Sequence, residues 1–460
     1  MTAEARRSGL QGSLERSEGE RRAARRPADQ PETQRDKAAN GRSRTAMYKK
    51  ALSVLLIFLL LPGCAAGSVP SAAPSESVPA ASGPESEPPQ AGPSEPEAEP
   101  TEPPDPKART VEALLSAMTL EEKVGQLFFV RCPEDRAEEK ISAYHLGGCI
   151  LFGRDFQNSA GKWLTREQFT RRIAGLQAAA DIPLLIGVDE EGGTVVRASR
   201  NPNLFDAMRQ SPQEICGRGG LDAVVEDTLF YSGGLLELGV NVNLAPVADV
   251  STDPGDFIYA RSFGRDGTAT ASYIEAVVSA ANEARYEPGD GTVRAIGSVL
   301  KHFPGYGNNA DTHTGVAIDR RPYEQFGTED FLPFQAGIRA GAGGVLVSHN
   351  VVVSMDPELP ASLSPEVHRI LREELGFEGV IMTDDLYMDA VEAYAADGSV
   401  AVLAVLAGND LIVTTDFEEQ IPLVIGAVKS GALGEDVIDR AVRRVLAWKY
   451  DLGLLSCTFS

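Results

Sequence analysis

From residue 110 onward the chain alternates short, almost unbroken apolar runs with longer stretches in which apolar side chains return every three or four positions. The runs fall at 126–130, 148–152, 184–188, 240–245, 295–300, 344–348, 379–383 and 410–414. Runs of this length without polar alternation suit strands covered on both faces, as in a parallel sheet. The stretches 166–180, 222–238, 270–285, 364–375 and 389–407 have helical spacing, and 417–430 and 435–450 predict two closing helices. Strand and helix thus alternate through eight units, which predicts an α/β fold of the (β/α)8 TIM-barrel type in a single domain, 109–455. An open, doubly wound sheet is the competing architecture. No glycine-rich phosphate loop follows Val130, which favours the closed barrel.

The first 108 residues break this pattern. Residues 1–46 hold eleven Arg or Lys against seven Asp or Glu and show no apolar periodicity. They are expected to be disordered, or a gene start placed too early with Met47 as the true one. After Met47, two lysines precede an apolar run at 51–61, followed by Pro62, Gly63 and Cys64. A basic start, a short greasy centre and small residues form a signal-peptide plan, and the run is about half the twenty residues that a membrane-spanning helix needs. Segment 47–64 is therefore expected to be a signal peptide. Cys64 after Leu61-Pro62-Gly63 resembles the lipobox of bacterial lipoproteins, which implies lipidation of Cys64, export, and anchoring at the outer face of the bacterial cell membrane. Residues 65–108 carry twelve of the 29 prolines and eight acidic residues against one lysine. This Pro/Glu/Ser-rich stretch cannot bury enough apolar surface to offset the entropy of ordering, so a disordered tether is expected.

Composition narrows the chemistry further. Hydrophobic residues at 43% and charged ones at 24% leave material for a sizeable core. The formal charge of −23 disfavours nucleic-acid partners. Five cysteines without a C-x-x-C pair argue against a zinc module or a thioredoxin-like site, and Cys132, Cys149, Cys216 and Cys457 are expected to be mostly free.

A barrel collects its chemistry at the C-terminal ends of its strands. The third run is followed by Asp189-Glu190-Glu191-Gly192-Gly193, the fourth ends near Asp249, the fifth gives Lys301-His302, the sixth His349 and the seventh Asp384-Asp385. One such acid reads as a solvated loop or a helix cap. Five successive strands ending this way point to a site. The densest stretch, 301–313, opens at a strand end and runs into a glycine-rich loop. Asp311 and His313 are two apart, so in extended backbone the carboxylate could hold one ring nitrogen and leave the other for proton transfer. An Asp-Thr-His turn without chemistry is the plainer alternative. His302, Asp311 and His313 are also possible metal ligands, but there is no H-E-x-x-H and no close histidine pair, so neither a metal nor any other cofactor is expected.

Five blocks carry a resemblance: Met118-Thr119-Leu120-Glu121-Glu122-Lys123-Val124-Gly125-Gln126-Leu127, Val188-Asp189-Glu190-Glu191-Gly192-Gly193, Ala260-Arg261-Ser262-Phe263-Gly264, Lys301-His302-Phe303-Pro304-Gly305 and Met382-Thr383-Asp384-Asp385-Leu386. In this order they resemble glycoside hydrolase family 3, and the Asp-x-His after the fourth block is similar to the branch of bacterial β-N-acetylglucosaminidases. The resemblance implies a retaining glycosidase with Asp384 as nucleophile and His313, oriented by Asp311, as acid/base. It implies sugar binding by Asp189, Arg197, Arg261, Lys301 and His302. Asp385 is expected to be a loop residue, and His349 is open between a site role and a structural one. Departures from the family pattern are Tyr306, Asn308 and Asn309 in the loop and Thr194 after the double glycine, where arginine is frequent; they bear on substrate preference and on the aglycone side.

The function expected from the resemblance is an exo-β-N-acetylhexosaminidase releasing terminal β-linked N-acetylglucosamine from cell-wall-derived glycans or muropeptides. Its partners would be a carbohydrate substrate and, through the lipid, a membrane, and the protein is expected to be a monomer. Alternatives are a β-glucosidase, β-xylosidase or glycoside phosphorylase of the same family, and a non-catalytic wall-binding lipoprotein.

Overall fold

The computed structural model describes residues 105–309, 316–388, 391, 394 and 400–455. The stretches read as extension, signal peptide with Cys64 and nearly all of the tether lie outside the described residues, as do Asp311, His313 and Cys457. The first described helix, Pro106–Ala117, starts three residues inside the stretch read as tether, with the Asp105 side chain accepting from the Lys107 N–H and Pro106 at its first turn.

Eight strands form the central sheet: β1 Phe128–Arg131, β2 Gly148–Leu151, β3 Leu185–Val188, β4 Val242–Asn243, β5 Gly297–Phe303, β6 Gly344–Val347, β7 Val380–Thr383 and β8 Ile412–Thr414. All neighbouring pairs are parallel, in the order β7-β6-β5-β4-β3-β2-β1-β8. The ring closes between β7 and β8, where Met382 bridges Leu411 and the Thr383 N–H donates to the Leu411 carbonyl at 3.2 Å. This is the expected (β/α)8 barrel.

The apolar runs lack polar alternation because each strand has two dry faces. In β2, Ile150 points into the barrel with Phe129, Leu185, Leu346 and Met382, while Cys149 and Leu151 face the surrounding helices. The last helix, Glu435–Asp451, sends Val445 and Trp448 into the inner cluster and so plugs the N-terminal end of the barrel. Cys132, Cys149 and Cys216 are free. Among the described residues no helix is long and apolar enough to cross a membrane.

Element boundaries differ from the sequence reading in instructive places. The helix expected at 222–238 belongs to Pro212–Glu237, which is interrupted by non-helical backbone at Gly219 and Gly220. Its start is fixed by a capping box between Ser211 and Glu214. The fifth strand runs past 300 to Phe303, so Lys301 and His302 belong to the strand itself. Its register with β6 shifts between Leu300 and Phe303, and the Lys301–His302 and Phe303–Pro304 peptide bonds are cis. In place of a continuous helix up to 285, Arg285–Tyr286 pairs antiparallel with Arg294–Ala295.

Candidate active site

The turn after β3 assigns a different task to each of its three acids. Glu190 is buried and its Oε2 accepts from the backbone N–H groups of Arg197 and Ala198 at 2.9 and 2.8 Å, so it shapes the loop that carries Arg197. Burial raises the Glu190 carboxyl above its ordinary range, against the pull of those donors. Asp189 and Glu191 point instead toward β5. Arg209 holds the turn from behind, donating to the Glu190 carbonyl at 2.7 Å and to Asp227 at 2.8 Å. Thr194 is exposed at the tip of the turn.

Lys301 enters from β5 and places its Nζ 2.6 Å from Asp189 Oδ1 and 2.6 Å from Glu191 Oε1. Arg261, from the loop after β4, donates Nε and Nη2 to the two oxygens of Glu191 at 2.9 and 2.7 Å. Two cations thus share two carboxylates at the mouth of the barrel. Burial alone would push the Glu191 carboxyl up, but Lys301 and Arg261 outweigh it and hold the group down at about 2. The same pairing keeps Lys301 protonated, with its ammonium raised despite the burial that would lower it. A buried ionised group is tolerated only with partners of this quality.

His302 continues the chain of contacts. Its Nε2 lies 3.2 Å from Arg261 Nη2, and its Nδ1 lies 2.7 Å from Asp249 Oδ2. A guanidinium can only donate, so Nε2 must accept and Nδ1 carries the proton toward Asp249. Asp249 also accepts from the His302 N–H at 3.1 Å and, through its other oxygen, from the Tyr306 N–H at 2.7 Å. One carboxylate therefore sets the imidazole tautomer and fixes the start of the following loop. Tyr306, one of the departures from the family pattern, is packed with Val247 and Ile258, and its ring meets His302 edge-on at 5.1 Å. It supports the imidazole from within the core.

Asp384 follows β7 directly. Its N–H donates to the Val347 carbonyl at 3.0 Å, and its Oδ1 accepts from the Asp385 N–H at 2.9 Å. The Asp385 carboxylate turns away to accept from Thr415 and from the Tyr387 N–H, both at 3.0 Å, and burial raises it. His349 is buried beneath this turn, with Nε2 3.0 Å from the Asp385 carbonyl and Nδ1 2.7 Å from Ser362 Oγ. It braces the backbone that presents Asp384.

The structure thus brings Asp189, Arg261, Lys301 and His302 into one hydrogen-bonded assembly. Arg197 joins the same rim, half-buried, with its guanidinium 5.9 Å from the centre of the Phe152 ring. Asp384 reaches the rim through β7, two strands from β5. Asp311, His313 and Cys64 lie outside the described residues. Glu191 and Asp249, which the sequence reading left without a role, are the two residues that hold the assembly together. The signal available was their place at strand ends, which does not say which of three consecutive acids turns inward. A cavity of about 380 Å³ opens at the opposite end of the barrel among Ile173, Leu236, Tyr286 and Leu454, and none of the strand-end residues lines it.

The chain is similar to known proteins in both sequence and fold. Residues 119–448 match the glycosyl hydrolase family 3 N-terminal domain. A β-hexosaminidase of Nitrosomonas eutropha is 32% identical over 272 residues, 58% of this chain and 73% of that protein. One from Xanthomonas campestris pv. campestris is 32% identical over 322 residues, 65% of this chain and 91% of that protein. Among solved structures, a family 3 β-N-acetylglucosaminidase from a Paenibacillus species superposes with a TM-score of 0.65 at 31% identity, covering 75% of this chain and 65% of that one. The chain is a glycoside hydrolase and belongs to glycoside hydrolase family 3.

Proposed function

We propose that the protein is a retaining exo-β-N-acetylhexosaminidase that releases terminal β-linked N-acetylglucosamine from cell-wall-derived glycans. The observation that carries this reading is the buried Lys301–Glu191–Arg261 assembly, which presents Asp189 and His302 at the same rim as Asp384. Asp189 accepts from sugar hydroxyls, and Arg197, Arg261 and Lys301 donate to hydroxyl or carbonyl oxygens. Fixing these groups before substrate arrives lowers the ordering cost of binding. The names of the relatives, β-hexosaminidase and β-N-acetylglucosaminidase, support the choice of sugar.

In the proposed reaction a carboxylate oxygen of Asp384 bonds to the anomeric carbon as the bond to the leaving oxygen breaks. His313, oriented by Asp311, gives that oxygen a proton. Water then attacks the same carbon, passes a proton to the imidazole and releases Asp384 as a carboxylate. Export and anchoring through Cys64 belong to the same reading and rest on the basic, apolar and lipobox-like text of 47–64.

The test is hydrolysis of an aryl β-N-acetylglucosaminide beside the matching glucoside and xyloside, with phosphate varied. The N-acetylglucosaminide should be preferred, Asp384→Ala should abolish turnover, and a fluorinated inactivator should label Asp384. Preference for the glucoside, or a label on another residue, would refute the reading. Membrane-fraction recovery of wild type but not of Cys64→Ala checks the anchor.

A further inference from the structure

Alternate side chains of a barrel strand face the axis, and on β1 this brings to the mouth a charged residue that the sugar assembly does not employ. Phe129 belongs to the inner cluster, so Arg131, two residues on and last in the strand, faces the axis one layer higher. In β5 the same alternation sets Lys301 above Val299, and Phe152, two residues past Ile150, packs on top of the inner cluster. In the eight-stranded ring β1 stands opposite β5 and two strands from β7, which carries Asp384. Arg131 therefore faces the same pocket as Lys301, from across the mouth.

Two guanidiniums approach one aromatic ring there. Arg131 Cζ lies 4.7 Å from the centre of the Phe152 ring and Arg197 Cζ lies 5.9 Å from it. The ring attracts a cation but leaves its N–H donors without an oxygen or nitrogen acceptor. Among the described residues, no hydrogen bond or ion pair engages the Arg131 guanidinium, and its buried Nε has no partner. The buried Nε of Arg197 likewise has none, and its Nη1 reaches the Val196 carbonyl only at 3.4 Å. The nearby acids are committed elsewhere. Asp189 and Glu191 hold Lys301, while Asp155 accepts from the Phe152 N–H at 2.8 Å and has its other oxygen 3.5 Å from Arg172. Two half-buried cations with donors to spare fit a bound anion, and the planar fork of arginine matches a carboxylate or a phosphate.

We propose that Arg131, together with Arg197, binds an oxyanion, a carboxylate or phosphate, borne by the terminal sugar of the substrate. This rests on the reading of Asp189, Arg197 and Lys301 as sugar-binding groups, and it extends the substrate class to terminal N-acetylhexosamines with an acidic substituent. Arg131 faces the pocket of Lys301 and shares Phe152 with Arg197, so the group it holds sits on the sugar in that pocket.

The experiment measures inhibition of aryl β-N-acetylglucosaminide hydrolysis by N-acetylglucosamine, N-acetylglucosamine 6-phosphate, N-acetylmuramic acid and inorganic phosphate, in wild type, Arg131→Met and Arg131→Lys. The readout is the ratio of inhibition constants for neutral and acidic sugars, which cancels any change common to both. In wild type at least one acidic sugar should bind on the order of 10-fold more tightly than N-acetylglucosamine. That advantage should shrink to less than about 2-fold in Arg131→Met and to an intermediate value in Arg131→Lys, which keeps the charge without the fork. A wild-type advantage below about 2-fold for both acidic sugars, or one unchanged in Arg131→Met, would overturn the proposal. The wild-type ratio needs no variant, so it decides the matter even if Arg131→Met does not fold. Strong inhibition by inorganic phosphate with no advantage for either acidic sugar would assign the corner to a free anion and overturn the sugar-borne group. If the aryl glucoside is the preferred substrate, the N-acetylglucosamine reading fails on its own, and glucose 6-phosphate against glucose then decides Arg131 by the same ratio.

Discussion

Lys301 and Glu191 meet at 2.6 Å with side chains only 3% and 1% exposed, although they come from β5 and from the turn after β3. Glu191 also holds Arg261, so one carboxylate pairs with two cations at once. Glu191→Gln keeps the shape and removes the charge, leaving Lys301 and Arg261 to share Asp189. Breaking a buried pair by removing one partner costs about 3–5 kcal/mol, so the urea midpoint should fall by a corresponding amount, with a smaller loss for Asp189→Asn at its more open position.

The depressed Glu191 carboxyl also makes an acid limb. Folded, it stays ionised down to about 2, whereas in the unfolded chain it takes up a proton near 4.5. Its contribution, about 3 kcal/mol, is therefore complete above the unfolded value and is lost as pH falls from 4.5 toward 2. Asp330, raised to about 7 by burial against the pull of Arg321, has the opposite sign and contributes less as pH rises through 7. Unfolding measured at several pH values in wild type and Glu191→Gln should give a difference that shrinks between pH 4.5 and 2.

Asp249→Asn tests the tautomer of His302. An amide can present an N–H to Nδ1, which would move the ring proton to Nε2, facing Arg261. Two donors would then oppose each other at the present 3.2 Å. A wrong tautomer with preserved geometry is expected to lower kcat/KM on the order of 100-fold or more, with only a modest change in Tm.

At the far end of the barrel, Lys449 is fully buried and donates to Gln126 Oε1 at 2.6 Å. Burial brings its ammonium down to about 7. The unfolded chain binds this proton up to about 10.5, so the lysine destabilises the fold increasingly as pH drops from there to 7. Lys449→Met should raise Tm at pH 7 by an amount equivalent to about 1–3 kcal/mol, and by less at pH 10.

Much of the site was legible because barrel strands end where their chemistry begins. Asp189, Lys301, His302 and Asp384 could be read as candidates from their place after apolar runs, since five successive strands with polar ends are more than loops and helix caps require. Glu191 and Asp249 occupied the same kind of place but carried no distinguishing mark. Whether an acid in a tight turn faces solvent, its own backbone or a cation on another strand depends on φ and ψ at each step, and neighbouring Glu190 resolved to the second of these. Tyr306 shows the same limit, since an aromatic residue between two glycines reads as loop text and only the packing around Val247 and Ile258 makes it core.

By itself the sequence determined the eightfold alternation, the order of the strand-end motifs and the family they resemble, because periodicity and local spacing are properties of neighbouring residues. The tertiary structure alone decided which charges meet. Arg261, Glu191 and Lys301 are separated by tens of residues, and Arg321 joins Gly305 to Asp319 and Asp330. Such pairings follow from closure of the barrel, which places the ends of distant strands a few ångströms apart in a dry mouth where an unpaired charge could not persist.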